Sequence, residues 1–468
     1  MKNTKGLLIA TMLVASAALS ACGGGGGGTA STGSPSTSGT PPAPVAANTT
    51  PMVPAAYVPA TTPVAPPPSN VANQVPVTVA SGPFNAVDTP YVSVTVCAPG
   101  TTTCQTVNDV TVDTGSTGLR LYASALNSRM LAALPAVTTA SGAPSAECAK
   151  TMTALFWGSV RTADVKLAGE VASALPVQIL ADPAYPAPAS CPGAPTLPLQ
   201  SHGNGVLGIS SYRQDCGPGC ASGYYACSGS VCTPQGVVTS AQVSNPVASF
   251  AQDYNGTIVT LPGVPAMGAP QVTGTLTFGL DTQADNSATN VGGKYYNAPP
   301  SSGQLVGSLY CGNTCGSTAA PTYPVVLATG AATYDFGGQF LSTTPQCTLA
   351  NKVLYCPGGD SWPAPAPGTT TFTPMTTGFY TNVVAPNGNT STLTVSVADA
   401  DQLLWAGQGG EPAAGSTFVF DNLAANSDQL PLIAGSFTLG LPFYLGRSVG
   451  TVLEGAAFSG GVGPGVQF

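Results

Sequence analysis

Charge is what this chain has least of: only 6% of its residues are Asp, Glu, Lys or Arg, and the formal net charge is −8. Eleven Lys and Arg spread over 468 residues make no basic patch. That excludes a phosphate-neutralising surface, and nucleic acid with it. The same scarcity gives anionic headgroups little to attract, so any hold on a membrane must have another source. Histidine occurs once, as His202 in "QSHGNG". A Ser-His-Asp triad would have to use it, yet no nucleophile elbow accompanies it, and it reads as a loop residue. A single histidine also excludes His-carboxylate metal clusters. No glycine-rich phosphate loop stands between a strand and a helix, and no cofactor or metal is expected.

Helix formers are scarce as well. Short runs rich in Val, Thr and Ser, such as "YVSVTV" (91–96), "TGTLTFGL" (273–280) and "STLTVSVA" (391–398), alternate with Gly/Pro/Asn turns, which predicts an all-β protein. One helix is expected, in "SNPVASFAQDY" (244–254), where Ser244 or Asn245 would cap and Val247, Phe250 and Ala251 share a face. Trp157, Trp362, Trp405 and the sixteen tyrosines read as core and cross-strand packing and imply no ligand.

At the N-terminus, Lys2 and Lys5 precede an apolar stretch from Leu7 to Leu19, too short for a transmembrane helix and ending in "LSAC". Residues 1–21 resemble a bacterial lipoprotein signal. The resemblance implies a lipid on Cys22 and, with Gly23 next, an outer-membrane, cell-envelope location, with the side of the membrane open. The plainer alternative is a secretory signal with a chance cysteine. Residues 22–72 carry Gly, Ser, Thr, Pro, Ala and Val without charge, a composition that cannot bury enough apolar surface to fold, and read as a tether.

Beyond Cys22 there are twelve cysteines, an even number for an oxidising compartment. Nearest-neighbour pairing would join Cys97–Cys104, Cys216–Cys220, Cys227–Cys232, Cys311–Cys315 and Cys347–Cys356, leaving Cys148 for Cys191. The alternative is a zinc site from Cys216, Cys220, Cys227 and Cys232.

The segment "VTVDTGSTGLRL" (110–121) places one of the few acids at a strand end. Asp113 presents a carboxylate at the turn, Gly115 admits another backbone, the Thr114 hydroxyl can bond across to a second copy, and the Ser116 hydroxyl can bond the Asp. Two such turns would let two carboxyls share a proton, polarise a water and protonate a carbonyl, which is peptide hydrolysis without a covalent intermediate. A second copy is therefore required. "TYDFGGQF" offers Asp335 and Gly337, and each acid precedes a glycine step, Val206-Leu207-Gly208 in the first half and Thr438-Leu439-Gly440 in the second: 95 residues separate Asp113 from Gly208, and 105 separate Asp335 from Gly440. Asp281, Asp360 and Asp421 lack a glycine two residues on.

In their order, "VTVDTGSTGLRLY", "WGSVRTADVKLAGE", "GNGVLGIS", "GTLTFGLD", "ATYDFGGQFLS" and "SFTLGLPFYLGRSVGTVLEG" resemble the pepsin-like aspartic proteases, and more closely an uncharacterised proteobacterial lipoprotein family related to them. The resemblance implies a bilobal pair of β-barrels with a central cleft, an N-terminal lobe over 73–285 and a C-terminal lobe over 286–468. It also implies Asp113 and Asp335 as the catalytic dyad, supported by Thr114, Gly115, Ser116 and Gly337. A peptide or protein would be the substrate and the protein a monomer. Two departures stand against activity. Phe336 and Gly338 replace expected hydroxyls, and "KTMTALFWG" lacks a flap tyrosine, with Phe156 or Trp157 as the only covers. Aspartic endopeptidase activity is thus one reading, and a catalytically inactive binding or structural lipoprotein using the same cleft is the other. A disulfide-stapled surface module for cell contact is a third.

Overall fold

The structure is a computed structural model. It describes residues 72–150, 155–192, 203–217, 223–299, 305–310, 322–338, 341, 344–348, 353–359, 374–405, 417–429 and 435–468. Cys22, His202, Cys220, Cys311, Cys315, Asp360 and Trp362 lie outside these residues.

The chain is all-β, as its composition predicts. The first half carries β1 (Gln74–Val79), β2 (Pro90–Cys97), β3 (Cys104–Asp113), β4 (Thr117–Tyr122), β5 (Ser145–Lys150), β6 (Leu155–Leu167), β7 (Glu170–Leu180) and β8 (Gly205–Ile209). Then come β9 (Tyr224–Ser228), β10 (Val231–Pro234), β11 (Gly256–Leu261) and β12 (Val272–Phe278). The second half carries β13 (Tyr295–Asn297), β14 (Leu305–Tyr310), β15 (Thr322–Leu327), β16 (Tyr334–Phe336), β17 (Thr376–Val384) and β18 (Thr390–Ala398). The last strands are β19 (Ala424–Asn426), β20 (Phe437–Leu439), β21 (Arg447–Val452), β22 (Ala457–Phe458), β23 (Gly461–Val462) and β24 (Gly465–Gln467). The expected helix at 244–254 is a single 3₁₀ turn, Pro246–Ser249, in which the Val247 N–H donates to the Asn245 side chain. Pro246 suits a first turn, and the chain leaves it at once so that Phe250 can stack edge-on against Phe278.

Two sheets are built on one plan. In the first, β8 runs parallel to β3 and antiparallel to β4, and β4 runs parallel to β7. In the second, β20 runs parallel to β15 and antiparallel to β16, and β16 runs parallel to β19. Strands from the second half of the chain complete the first sheet, because β21, β24 and β13 extend it in the order β1-β12-β11-β21-β24-β13. A boundary at residue 285 therefore separates the halves in sequence but not in hydrogen bonding.

Alternation explains the burial of β3. Val107, Val110 and Val112 are all buried, although 107 and 110 are out of phase. A bulge reconciles them: Val92 pairs with Val110 and Val94 with Val107, and Asp109 takes a left-handed φ of 54°. The bulge turns Val110 and Val112 inward. The strand then ends at Asp113 with its carboxylate partly exposed.

Four of the nearest-neighbour disulfides form as expected: Cys97–Cys104, Cys148–Cys191, Cys227–Cys232 and Cys347–Cys356. Cys216 is disulfide-bonded too. The zinc alternative falls with this, because oxidised sulfurs are not thiolate ligands.

Candidate functional site

Asp113 ends β3 beside Gly208 of β8. Its Oδ1 accepts the N–H of Gly115 at 2.8 Å, which closes the turn. Across from it stands not residue 335 but the segment Ala328-Thr329-Gly330, just past the end of β15. Thr114 N donates to Thr329 Oγ1 and Thr329 N to Thr114 Oγ1, each at 3.1 Å. Each hydroxyl then reaches the opposite strand end: Thr114 Oγ1 donates to Leu327 O at 3.2 Å and Thr329 Oγ1 to Val112 O at 2.7 Å. This reciprocal exchange is the across-the-seam bonding expected of Thr114. Its partner is Thr329, and the buried Tyr444 hydroxyl adds a third contact to Thr114 Oγ1 at 2.8 Å.

The second copy of the motif is therefore Ala-Thr-Gly at 328–330. Strand register says the same. Asp113 lies opposite Gly208, while the pairing of Leu327 with Leu439 continues through the bond from Ala328 N to Leu439 O and brings Ala328 level with Gly440. Both glycines are demanded by close approach, since a Cβ on Gly208 or Gly440 would run into the backbone of the crossing turn. Glycine is equally necessary in the turns themselves. A Cβ on Gly330 would sit 2.6 Å from Asp113 Cγ, and one on Gly115 would sit 2.6 Å from Ala328 Cβ. Gly330 N also donates to Asp113 Oδ1 at 3.2 Å, so the second loop grips the carboxylate of the first.

The dyad of Asp113 and Asp335 is thus corrected. Asp335 lies inside β16, seven residues past Ala328, paired with Thr438 and Ala425. It is 4% exposed, and among the described residues its carboxyl accepts one hydrogen bond, from Thr333 Oγ1 at 2.5 Å. Burial, opposed only by that hydroxyl, pushes its carboxyl up to about 7. Gly337 follows it out of the strand and contacts no carboxylate among the described residues, and Gly338 N donates to Asp428 Oδ2 at 2.7 Å. Phe336 is core rather than a failed hydroxyl, stacked on Tyr355 and edge-on to Phe379. Ser116 departs from expectation as well, since its Oγ is buried without a partner among the described residues and does not bond Asp113. Asp281 is elsewhere, accepting from Ala288 N and Ser459 N.

Register also places Arg120 of β4 where β16 has Asp335, since Arg120 pairs with Gln178 and Val206 as Asp335 does with Ala425 and Thr438. Arg120 is buried and fully engaged. It donates to Gln178 Oε1 at 2.9 Å and to the Thr117 carbonyl, and forms ion pairs with Glu147 at 3.2 Å and Asp215 at 2.8 Å. Burial opposes its charge, but the two carboxylates overcome that and raise its pKa. Glu147 is raised far above the usual range by burial first and then by Asp215. Tyr224 holds Asp215 Oδ1 at 2.9 Å. The network fastens β5 and the segment carrying β9 and β10 to β4, because β9 pairs along the edge of β5. Trp157 and Phe156 are tied into this region and do not stand free to cover Asp113. Trp157 donates to Tyr185 O at 2.6 Å and packs edge-on against Tyr225, and Phe156 is buried with Tyr122 and Leu180.

Thr329→Val should cost about 1–3 kcal/mol, because the N–H of Thr114 and the carbonyl of Val112 lose a partner in a buried place. Urea unfolding beside wild type measures it, and an unchanged midpoint would remove the grip as a source of stability.

Residues 69–468 match a family model, DUF3443, described as "Protein of unknown function". The chain belongs to the DUF3443 family. No curated protein matches it. Among solved structures it is similar to an aspartic proteinase from Irpex lacteus, at 16% identity over 82% of this chain and 94% of that one, with a TM-score of 0.43. Within this DUF3443 chain, Ala328 was legible only as the residue before a second Thr-Gly after an apolar run. "VVLATG" (325–330) shares with "VTVDTG" (110–115) the leading Val, an apolar residue before the turn and the closing Thr-Gly, and has Ala where the first has the acid.

Proposed function

We propose that this DUF3443 protein is a lipid-anchored, monomeric protein of the outer membrane that has no peptidase activity and holds an extended peptide where its two repeats meet. One observation carries the reading. Ala328 stands where a proton-sharing partner of Asp113 would have to be, and it brings a methyl group. Hydrolysis through an activated water needs one carboxyl to take a proton while another gives one. Asp113 alone cannot do both. Retention of the Thr114–Thr329 exchange supports binding over decay, because it keeps the Asp113 loop in place after the second acid is gone. The lipid anchor rests on "LSAC" at Cys22 and on a tether without charge.

The test is incubation of the full-length protein in detergent micelles with a proteome-derived peptide library from pH 2 to 8, read by mass spectrometry. The library is expected to remain intact, with Asp113→Asn indistinguishable from wild type. Cleavage present in wild type and absent in Asp113→Asn would overturn the proposal.

A further inference from the structure

The loss of one acid changes which hydrogen bonds the site can make, and so which ligand it favours. Of the two oxygens of Asp113, Oδ1 is filled by the N–H groups of Gly115 and Gly330. Among the described residues Oδ2 has no hydrogen-bond partner, and the residue is partly exposed. The donors around it are spent. The hydroxyls and N–H groups of Thr114 and Thr329 are used on each other and on Leu327 and Val112, and the Tyr444 hydroxyl is held against Thr114. Ala328 N is bonded to Leu439 O, and the Ala328 side chain has no polar atom. Ser116 Oγ is shut away from solvent.

A pair of carboxyls sharing a proton can both accept and donate, and therefore suits a hydroxyl, which does the same. A lone carboxylate accepts only. We propose that this site selects a ligand carrying a protonated amine, donating to Asp113 Oδ2, in preference to one presenting a hydroxyl. The bond is then charge-assisted, roughly twice as strong as a neutral one, and a chain of net charge −8 draws cations towards it. The ligand class is a peptide or peptide-like chain with a basic amine in or at the end of its backbone. This rests on the reading of the site as one that binds peptide.

The probes are three matched hexapeptide mixtures. In one the central amide is intact, in the second it is reduced to a secondary amine, and in the third it is replaced by a hydroxyethylene unit. Each is presented at pH 6 and constant salt to full-length protein in detergent micelles. The amine set should bind about tenfold more tightly than the hydroxyl set, the effect of one charge-assisted hydrogen bond. The advantage should vanish in Asp113→Asn, and Ala328→Asp should turn preference towards the hydroxyl set. Equal binding of the amine and hydroxyl sets, or a preference untouched by Asp113→Asn, would overturn this inference and leave peptide binding standing. Failure of all three sets to bind would overturn both.

Discussion

Ala328→Asp is expected to create a pair of carboxyls that lose their protons in two coupled steps about 3 pH units apart, the separation shown by two carboxyls about 3 Å from each other. The backbone is already prepared for it. Gly115 leaves Ala328 Cβ a clear approach, Gly440 admits the crossing strand, and Thr329 fixes the turn from both sides. A new carboxylate there cannot ionise independently of Asp113, so one proton is held to higher pH and the other is lost at lower pH. Carbon-13 NMR of the Asp carboxyls follows both steps. The sum belongs to the pair and not to either residue. Cleavage of acid-labile peptide sites by this variant, absent from wild type, would show that the missing acid alone separates the site from a hydrolase. Two unchanged, independent titrations would show that residue 328 does not face Asp113.

Asp335→Asn is expected to stabilise the protein above neutral pH and to leave it unaltered in acid. The carboxyl titrates at 3.8 in the open chain and at about 7 in the folded protein. Between those values the folded state binds a proton that the unfolded state has released. The stability tied to that proton is whole below pH 3.8, shrinks as pH rises, and is gone above 7. Three units correspond to about 4 kcal/mol, and at 4% exposure water screens little of it. Asn keeps an acceptor for the Thr333 hydroxyl and cannot ionise. The difference between variant and wild type in urea-unfolding free energy should therefore be near zero at pH 4 and approach about 4 kcal/mol at pH 8. A difference independent of pH would mean that Asp335 is not desolvated.

The two acids show where reading the sequence succeeded and where it stopped. Asp113 stood out because its whole neighbourhood was coherent: an alternating strand, an acid, a hydroxyl, a glycine. Asp335 shares only the acid and the glycine two residues on, which "TYDFGG" carries at a spacing close to that of the first half. The feature that repeats is the Thr-Gly pair, because Thr and Gly hold the backbone together whether or not the acid is present. A search for chemistry misses a copy that kept only its architecture. The same lesson applies to Arg120. It belonged to the quoted motif, yet its buried partners, Glu147 and Asp215, lie 27 and 95 residues away.

The sequence by itself determined what depends on composition and local pattern. Scarce charge and abundant Val, Thr, Gly and Pro made the chain all-β, close cysteine pairs pointed to three of the observed disulfides and left Cys148 for Cys191, and Thr114 announced a partner across a seam. The identity of that partner depended on which strand end meets which, and pairing between residues more than two hundred apart leaves no periodic trace in the chain. Tertiary structure decided that Ala328 faces Asp113, that Asp335 is a buried, strand-bound carboxyl, and that Phe336 is core. Strand register sets these distances, and a hydrogen bond or a shared proton answers to distance in space.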